Sequence, residues 1–209
     1  MNIKYKTEQE NFWAGEFGNQ YVARNTGSEY IANNIALFSE ILRKTESNSI
    51  NSIIEFGANI GLNIKALKIL KPQAEISAIE INSTAIEELK KFEDLTIYEG
   101  SILDFEVDSK RDFVLIKGVL IHINPNELNR VYDKLYSTSC KYICICEYYN
   151  PTPVEVKYRG FENKLFKRDF AGEIMDKYSD LKLIDYGFVY HRDNNFKQDD
   201  CTWFLLKKD

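Results

Sequence analysis

A glycine-containing turn after an apolar strand provides the first chemical signal in this sequence. Residues 53–61 read Ile-Ile-Glu-Phe-Gly-Ala-Asn-Ile-Gly, so that Gly57 and Gly61 follow an apolar run directly. Glycine permits a tight turn and a close approach of backbone to ligand, and the N–H groups of the helix that follows favour a polar group there. The dinucleotide fingerprint Gly-x-Gly-x-x-Gly is incomplete, because Asn59 stands where a middle glycine would, although asparagine also tolerates the left-handed conformation.

A carboxylate at the end of the next strand strengthens this signal. Residues 75–80 read Glu-Ile-Ser-Ala-Ile-Glu, which puts Glu80 after the turn at the distance of about 20 residues where doubly wound folds bind a ribose. The two features together predict a nucleoside-containing ligand. An ordinary strand-helix-strand unit with a surface glutamate is the alternative.

His122 is the candidate proton acceptor. It follows a predicted strand that ends at Lys117, and the sequence contains only one other histidine, His191. The near-neutral pKa of imidazole suits it to removing a proton from a substrate. A structural hydrogen-bond donor at a strand-to-helix junction is the alternative interpretation for His122.

The stretch from Tyr148 to Gly160 concentrates aromatic and basic side chains after the fifth predicted strand, and it is longer than a simple connection requires. Long loops at the carboxyl ends of strands are common substrate sites in such sheets. Tyrosine rings stack on sugars, and a guanidinium group pairs with phosphate or carboxylate. We therefore predict substrate contacts from Tyr148, Asn150, Tyr158, Arg159, Lys167 and Arg168, and a catalytic role for Tyr149. A solvated loop with incidental aromatic residues is the alternative.

The N-terminal segment carries aromatic side chains before any predicted strand: Phe12, Trp13, Phe17 and Tyr21. Either a helix packs these rings on the domain, or the segment forms a lid over a ligand cleft. The lid interpretation adds Trp13 and Arg24 to the predicted substrate contacts and defines residues 1–48 as an N-terminal helical cap or lid.

The remaining residues, 49–209, alternate strands and helices, which indicates a parallel sheet covered on both faces. The last two predicted strands are joined by the polar stretch 191–200, which is too short for another crossover helix and therefore predicts an antiparallel hairpin. We predict a single doubly wound Rossmann-like α/β domain with a seven-stranded, mostly parallel sheet. The predicted strands lie at 53–56, 75–80, 95–98, 112–117, 141–147, 181–190 and 201–207, and the predicted helices include 62–70, 84–92 and 167–178.

Composition narrows the class of protein. The chain has 209 residues, 44% hydrophobic and 28% charged, which is typical of one globular domain. A net charge of -5 disfavours nucleic acid as a partner, and no apolar run approaches the length of a membrane span, so we expect a cytoplasmic protein. Two histidines, with cysteines at 140, 144, 146 and 201, form no recognisable metal motif.

These residues together resemble class I S-adenosylmethionine-dependent methyltransferases over nearly the whole chain. A narrower resemblance, to the methyltransferases associated with pseudaminic-acid biosynthesis and flagellin glycan modification, is carried by residues 12–18, 117–124, 147–160, 165–170 and 199–206. The resemblance implies S-adenosyl-L-methionine as the cofactor. The residues that it implies for cofactor binding are Glu55, Gly57, Ala58, Asn59, Gly61, Glu80, Ile81, Ser101, Ile102 and Lys117.

The resemblance further implies methylation of an O or N atom of a sugar or an amino-acid-bearing component of a surface or flagellin glycan. The acceptor is then a small molecule or a glycopeptide, and a homodimer is one arrangement that the sequence allows. The Asn/Asp-Pro-Pro-Tyr motif of enzymes that methylate nucleobases or glutamine amides is absent near Lys117. Two alternatives are a nicotinamide-dependent oxidoreductase, which the incomplete glycine motif and the terminal hairpin disfavour, and a non-catalytic cofactor-binding partner of a glycosyltransferase.

Overall fold

A seven-stranded sheet runs through the protein in a computed structural model that describes residues 5–24, 27–46 and 49–209. The predicted N-terminal cap over residues 1–48 therefore includes positions 1–4, 25–26 and 47–48, which lie outside the described residues. The strands of the sheet are β1 (Ser52–Phe56), β2 (Glu75–Glu80), β3 (Thr96–Glu99), β4 (Arg111–Lys117), β5 (Ser139–Glu147), β8 (Leu181–Val189) and β9 (Cys201–Lys208). Two short strands, β6 (Val154–Glu155) and β7 (Phe166–Lys167), pair separately.

The strand order is β3-β2-β1-β4-β5-β9-β8. All pairs among the first five strands are parallel, whereas β9 is antiparallel to both of its neighbours. The predicted doubly wound sheet with a terminal antiparallel hairpin is confirmed. Since β8 runs in the same direction as β5, the connection between β8 and β9 reaches the carboxyl edge of the parallel strands.

Seven α-helices lie in the described residues: α1 (Glu8–Ala14), α2 (Glu16–Arg24), α3 (Ser28–Leu42), α4 (Leu62–Leu70), α5 (Ser83–Leu89), α6 (Leu128–Thr138) and α7 (Phe170–Lys177). The helix predicted at 167–178 begins only at Phe170, because Phe166 and Lys167 pair with β6 and Asp169 caps the helix. None of the described helices combines the length and apolar character needed to cross a lipid bilayer.

The core lies on both faces of the sheet, since side chains alternate along each strand. One face packs against α6 and α7, and the other packs against α3 and α4. Representative buried residues of the first face are Phe56, Ile116, Ile145, Val131 and Ile174, and those of the second are Ile53, Leu115, Phe38, Ile41 and Leu67. Burial on both faces explains why β1 and β4 read as continuous apolar runs.

The helices α1 and α2, called the cap from here on, are bonded to the sheet domain at Asn82, among other residues. The side-chain Oδ1 of Asn82 caps α5 by accepting the Ala85 N–H at 3.0 Å. Its Nδ2 donates to the carbonyl of Trp13 at 3.0 Å and to Asn19 Oδ1 at 2.9 Å. Gly18 allows this close approach, because a Cβ there would lie 1.9 Å from the Trp13 carbonyl oxygen. The Asn82 amide is therefore one of the links between the cap and the sheet domain.

This dual role of Asn82 predicts different effects for two substitutions. Asn82→Asp keeps an acceptor for α5 but loses both donors to the cap, so amide exchange across residues 8–24 should become faster while α5 remains intact. Asn82→Ala also removes the helix cap and should lower the free energy of unfolding by about 1 kcal/mol more. Hydrogen exchange and urea unfolding measure the two effects. Unchanged exchange across 8–24 in the aspartate variant would contradict this account.

Candidate active site

A cavity of about 700 Å³ opens at the carboxyl ends of β1, β2 and β4. Its floor consists of the turn after β1, the end of β2, and the loops that follow β3 and β4. The cap, the first turns of α3, residues near 158 and the connection between β8 and β9 form its sides. Such crevices at the carboxyl ends of strands are where open α/β sheets bind ligands.

Glu80 is the buried carboxylate at the end of β2, and it lines the cavity. Its Oε2 accepts the Asn59 N–H at 2.6 Å, and its Oε1 accepts the N–H groups of Ile81 and Asn82 at 2.8 and 2.7 Å. Burial raises the pKa of Glu80, and the three N–H groups oppose that shift. A carboxylate has about four acceptor positions, so Glu80 retains acceptor capacity toward the cavity.

The turn between β1 and α4 is left-handed at three positions: φ is 79° at Gly57, 48° at Asn59 and 79° at Gly61. The N–H groups of Gly57 and Ala58 both donate to the Ile79 carbonyl, at 2.9 and 3.1 Å, which holds the turn against β2. Of the turn residues predicted to bind the cofactor, Gly57, Ala58 and Asn59 line the cavity, whereas Gly61 does not. A Cβ at Gly61 would lie 2.9 Å from both Leu89 and Phe92, so this glycine serves helix packing.

Glu55 lies beneath the cavity and does not line it, in contrast to the prediction that it contacts the cofactor. Its Oε1 accepts Asn63 Nδ2 at 2.5 Å, and its Oε2 has no hydrogen-bond partner among the described residues. Complete burial raises the pKa of Glu55 to about 8, although the Asn63 bond and the charge of Lys117 oppose the shift. Asn63 and Lys117 themselves line the cavity, and through its bond to Asn63, Glu55 positions a residue that faces it.

Glu147, at the end of β5, positions the loop that carries His122. It accepts the N–H groups of Val119 and Leu120, each at 2.9 Å, and that of Ile121 at 3.5 Å. Burial raises its pKa to about 7 against the opposing effect of these bonds. The sequence analysis missed Glu147, although a charged residue that ends an apolar strand is the same signal that identified Glu80.

His122 lies in a short 3-10 turn after β4 and lines the cavity. Its Nδ1 is 2.5 Å from the Lys164 carbonyl oxygen, and because a carbonyl only accepts, Nδ1 carries the proton. Burial lowers the pKa of His122 to about 4. The imidazole is therefore neutral near pH 7 and keeps Nε2 as an acceptor. Trp13 and Tyr158 pack on the ring with centroid distances of 4.5 and 5.0 Å.

The wall beside His122 contains predicted and unpredicted residues. Trp13, Tyr148, Tyr158 and Arg159, the predicted substrate contacts, line the cavity, and so do Ile81, Ser101 and Ile102, the predicted cofactor contacts. Tyr21 of the cap also lines the cavity, and burial together with nearby Tyr158 and Asp199 raises its pKa.

The polar connection between β8 and β9 completes this wall, a role that the sequence analysis did not predict. Asn33 of α3 donates to the Lys197 carbonyl at 2.6 Å, and Gln198 donates to the Asn33 carbonyl at 2.9 Å. These bonds hold the connection against α3, so that Asp199 lines the cavity. Burial and a hydrogen bond with Asp199 raise the pKa of Tyr148.

The structure does not bring Tyr149 or Asn150 into the cavity. Side chains alternate as the chain leaves β5, so Tyr148 faces the cavity whereas Tyr149 is 42% exposed and packs on Phe204 at 5.9 Å. Asn150 donates to the Thr152 carbonyl at 2.6 Å and thus stabilises a local turn. Tyr149 was predicted to be catalytic, but its side chain does not line the cavity.

Three predicted basic contacts also lie outside the cavity. Arg168 pairs with Glu173 at 2.7 Å. Lys167 lies 5.2 Å from the Tyr148 ring centroid, behind the ring that lines the cavity. Arg24 is exposed and lies 5.7 Å from the Phe17 ring centroid on the outside of the cap. Of the basic residues predicted to bind substrate, Arg159 alone lines the cavity.

Comparison with known proteins shows the fold. No protein-family model matches the sequence, and no curated protein matches it significantly. The solved mitomycin 7-O-methyltransferase MmcR aligns with a TM-score of 0.68 at 12% identity, over 97% of this chain and 61% of that chain. The plantazolicin methyltransferase BpumL in complex with SAH gives 0.69 at 13%, over 96% and 94%. Magnesium protoporphyrin IX methyltransferase (ChlM) from Synechocystis PCC 6803 with bound SAM gives 0.66 at 10%, over 99% and 100%.

These similarities establish that the chain has a Rossmann-like methyltransferase fold. This chain spans about three fifths of the MmcR chain but nearly the whole of the other two.

Burial of Glu55 generates a prediction about pH. Between pH 6.5 and 8 its carboxyl group is ionised in the unfolded chain, where the ordinary pKa is 4.5, and largely protonated in the folded protein, where it is about 8. The folded state binds more protons, so this contribution to stability decreases as pH rises, by up to about 1.4 kcal/mol per pH unit. Glu55→Gln should therefore flatten the decline of unfolding free energy over this range. The control is Glu75→Gln, at an exposed residue of β2. If unfolding free energy depends equally on pH in both variants, the pKa of Glu55 is not raised as described.

Proposed function

We propose that this protein is an S-adenosylmethionine-dependent methyltransferase. The observation that carries the proposal is that Glu80 and His122 line one cavity, the first beside the glycine turn and the second beside an aromatic wall. Glu80 suits the ribose of the cofactor and His122 suits a methyl acceptor, and the reaction must bring cofactor and acceptor together.

The residues of the cavity fit this cofactor. Gly100 and Gly118 line the cavity with φ of 139° and 67°, and a Cβ on either would meet no protein atom within 4 Å. Both glycines thus leave open space where a ligand approaches the backbone. In the proposed arrangement Glu80 and Ile81 hold the ribose, Ser101 and Ile102 flank the adenine, and Gly57 to Asn59 with Lys117 hold the amino-acid portion. When bound, the cofactor supplies an electrophilic methyl group on a sulfonium.

In this proposal His122 accepts the proton of a hydroxyl acceptor. The bond from Nδ1 to the Lys164 carbonyl fixes the tautomer and leaves Nε2 as the available acceptor. The low pKa of His122, caused by burial, makes it a weak base that does not titrate near neutral pH. It therefore orients the hydroxyl and receives its proton as the oxygen becomes more acidic during transfer. The structural and catalytic interpretations of His122 are compatible, because they use different ring nitrogens.

The proposed acceptor is a sugar or an amino-acid-bearing component of a surface or flagellin glycan, as a small molecule or a glycopeptide. Tyr148, Tyr158 and Trp13 offer rings for stacking, and Arg159 offers a cation for a carboxylate or phosphate. The glycan class rests on the resemblance of the sequence alone. The similar solved structures are named for mitomycin, plantazolicin and magnesium protoporphyrin IX, so the fold itself does not select an acceptor.

The cofactor assignment is tested by isothermal titration calorimetry with S-adenosylhomocysteine. Glu80→Gln should weaken binding by about 1.5–3 kcal/mol, the value expected for hydrogen bonds to a charged group. Glu99→Gln is the matched control, since Glu99 ends the neighbouring strand β3, is exposed and does not line the cavity. Binding of NADH in place of S-adenosylhomocysteine would favour the oxidoreductase alternative and contradict the proposal.

The role of His122 is tested by methyl incorporation into flagellin glycopeptides from cells that lack this protein. Because His122 stays neutral above a pKa of about 4, lowered by burial, a hydroxyl acceptor should give a rate that is nearly flat from pH 5.5 to 8. An amine acceptor should instead give a rate that rises with pH as the ammonium loses its proton. His122→Ala should lower the rate by about 100-fold for a hydroxyl and little for an amine. Cofactor binding without any methyl incorporation would favour the non-catalytic partner.

A further inference from the structure

Glu10 is a buried carboxylate of α1 that the sequence analysis left without a role. It is 7% exposed and lines the cavity. Its Oε1 accepts the hydroxyl of Ser101, which lies in the loop after β3. The Ser101 oxygen also accepts the Leu103 N–H at 3.0 Å, so its single proton is directed to Glu10. A residue of the cap thus reaches the loop proposed to flank the adenine.

A capping box fixes the orientation of the Glu10 side chain. The Thr7 N–H and hydroxyl both donate to Glu10 Oε2, at 2.8 and 2.9 Å, and the Thr7 hydroxyl accepts the Glu10 N–H at 3.1 Å. Because Oε2 is engaged by the first turn of α1, Oε1 is the oxygen left to face Ser101 and the cavity. The carboxylate is therefore preorganised as an acceptor.

The surroundings of Glu10 suit a flat base with a hydrogen-bond donor at its edge. Ile102 and Leu103, which follow Ser101 directly, line the cavity together with Ile81 and provide apolar surfaces for the faces of a ring. The nearby carboxylate of Asp104 does not line the cavity; it pairs with Lys6 at 2.5 Å and is exposed. An exocyclic amino group entering this part of the cavity would meet Glu10 as its acceptor.

We propose that Glu10 accepts a hydrogen bond from the 6-amino group of the cofactor's purine, so that the cap forms part of the cofactor site. This inference rests on the proposed function. An ionised carboxylate accepts from an amino group and repels the carbonyl of a 6-oxopurine, so Glu10 distinguishes the two bases. Since α1 also carries Trp13, which packs on His122 at 4.5 Å, the contact at Glu10 joins the purine end of the cavity to its acceptor end.

The test compares the affinities of S-adenosylhomocysteine and S-inosylhomocysteine, which has a carbonyl in place of the amino group. The wild-type protein should prefer the adenosyl compound by about tenfold or more, the size expected for one hydrogen bond to a charged group. Glu10→Gln preserves the capping box, because the glutamine oxygen can take the Thr7 N–H, and it turns an amide donor toward the cavity. The preference should then disappear or reverse.

Glu16→Gln is the matched control, since Glu16 belongs to the same cap, is exposed and bonds Gln20 at 3.0 Å. It should keep the wild-type preference. Glu10→Asp is a second variant that retains the charge but withdraws the acceptor, and it should move the ratio toward one. A wild-type ratio in both Glu10 variants, with S-adenosylhomocysteine still bound, overturns this inference alone. Failure of the wild-type protein to bind either compound overturns the proposed function with it.

Discussion

A carboxylate withdrawn from water must be hydrogen-bonded, and this requirement shapes the cavity. Glu80 accepts hydrogen bonds from three backbone N–H groups, one in the turn after β1 and two just after β2. The carboxylate thereby joins these two loops. Glu147 meets the same requirement with the N–H groups that follow β4, and so fixes the turn carrying His122. In both cases the buried group that needs partners is also the group that holds the loop. The protein's own hydrogen bonds therefore hold these parts of the cavity in place.

The parts of the protein that follow from local patterns could be predicted from the sequence. Apolar runs bounded by turn residues identified the seven strands, and the short polar stretch before β9 identified the hairpin. Glu80 at the end of β2 and the left-handed conformation of Asn59 could be predicted for the same reason, since each depends on residues close in the chain.

The parts that depend on distant contacts could not be predicted. Tyr148 and Tyr149 are indistinguishable by composition, and only the phase of the chain leaving β5 decides which of them faces the cavity. The contact between Glu10 and Ser101 joins residues far apart in sequence. A local signal did exist there, because Thr7-x-x-Glu10 matches a capping box, but that pattern predicts a helix start and not a ligand contact.

The antiparallel last strand affects which parts of the cavity can vary in sequence. Because β9 reverses direction, the connection from β8 returns to the carboxyl edge of the sheet and supplies one wall of the cavity through Asp199. That connection bonds α3 through Asn33, whereas Glu80 bonds the N–H groups of Asn59, Ile81 and Asn82. Insertions or substitutions in the connection would reshape one side of the cavity while leaving Glu80 and its partners untouched. The connection between β8 and β9 can therefore vary in sequence without changing the hydrogen bonds that hold Glu80.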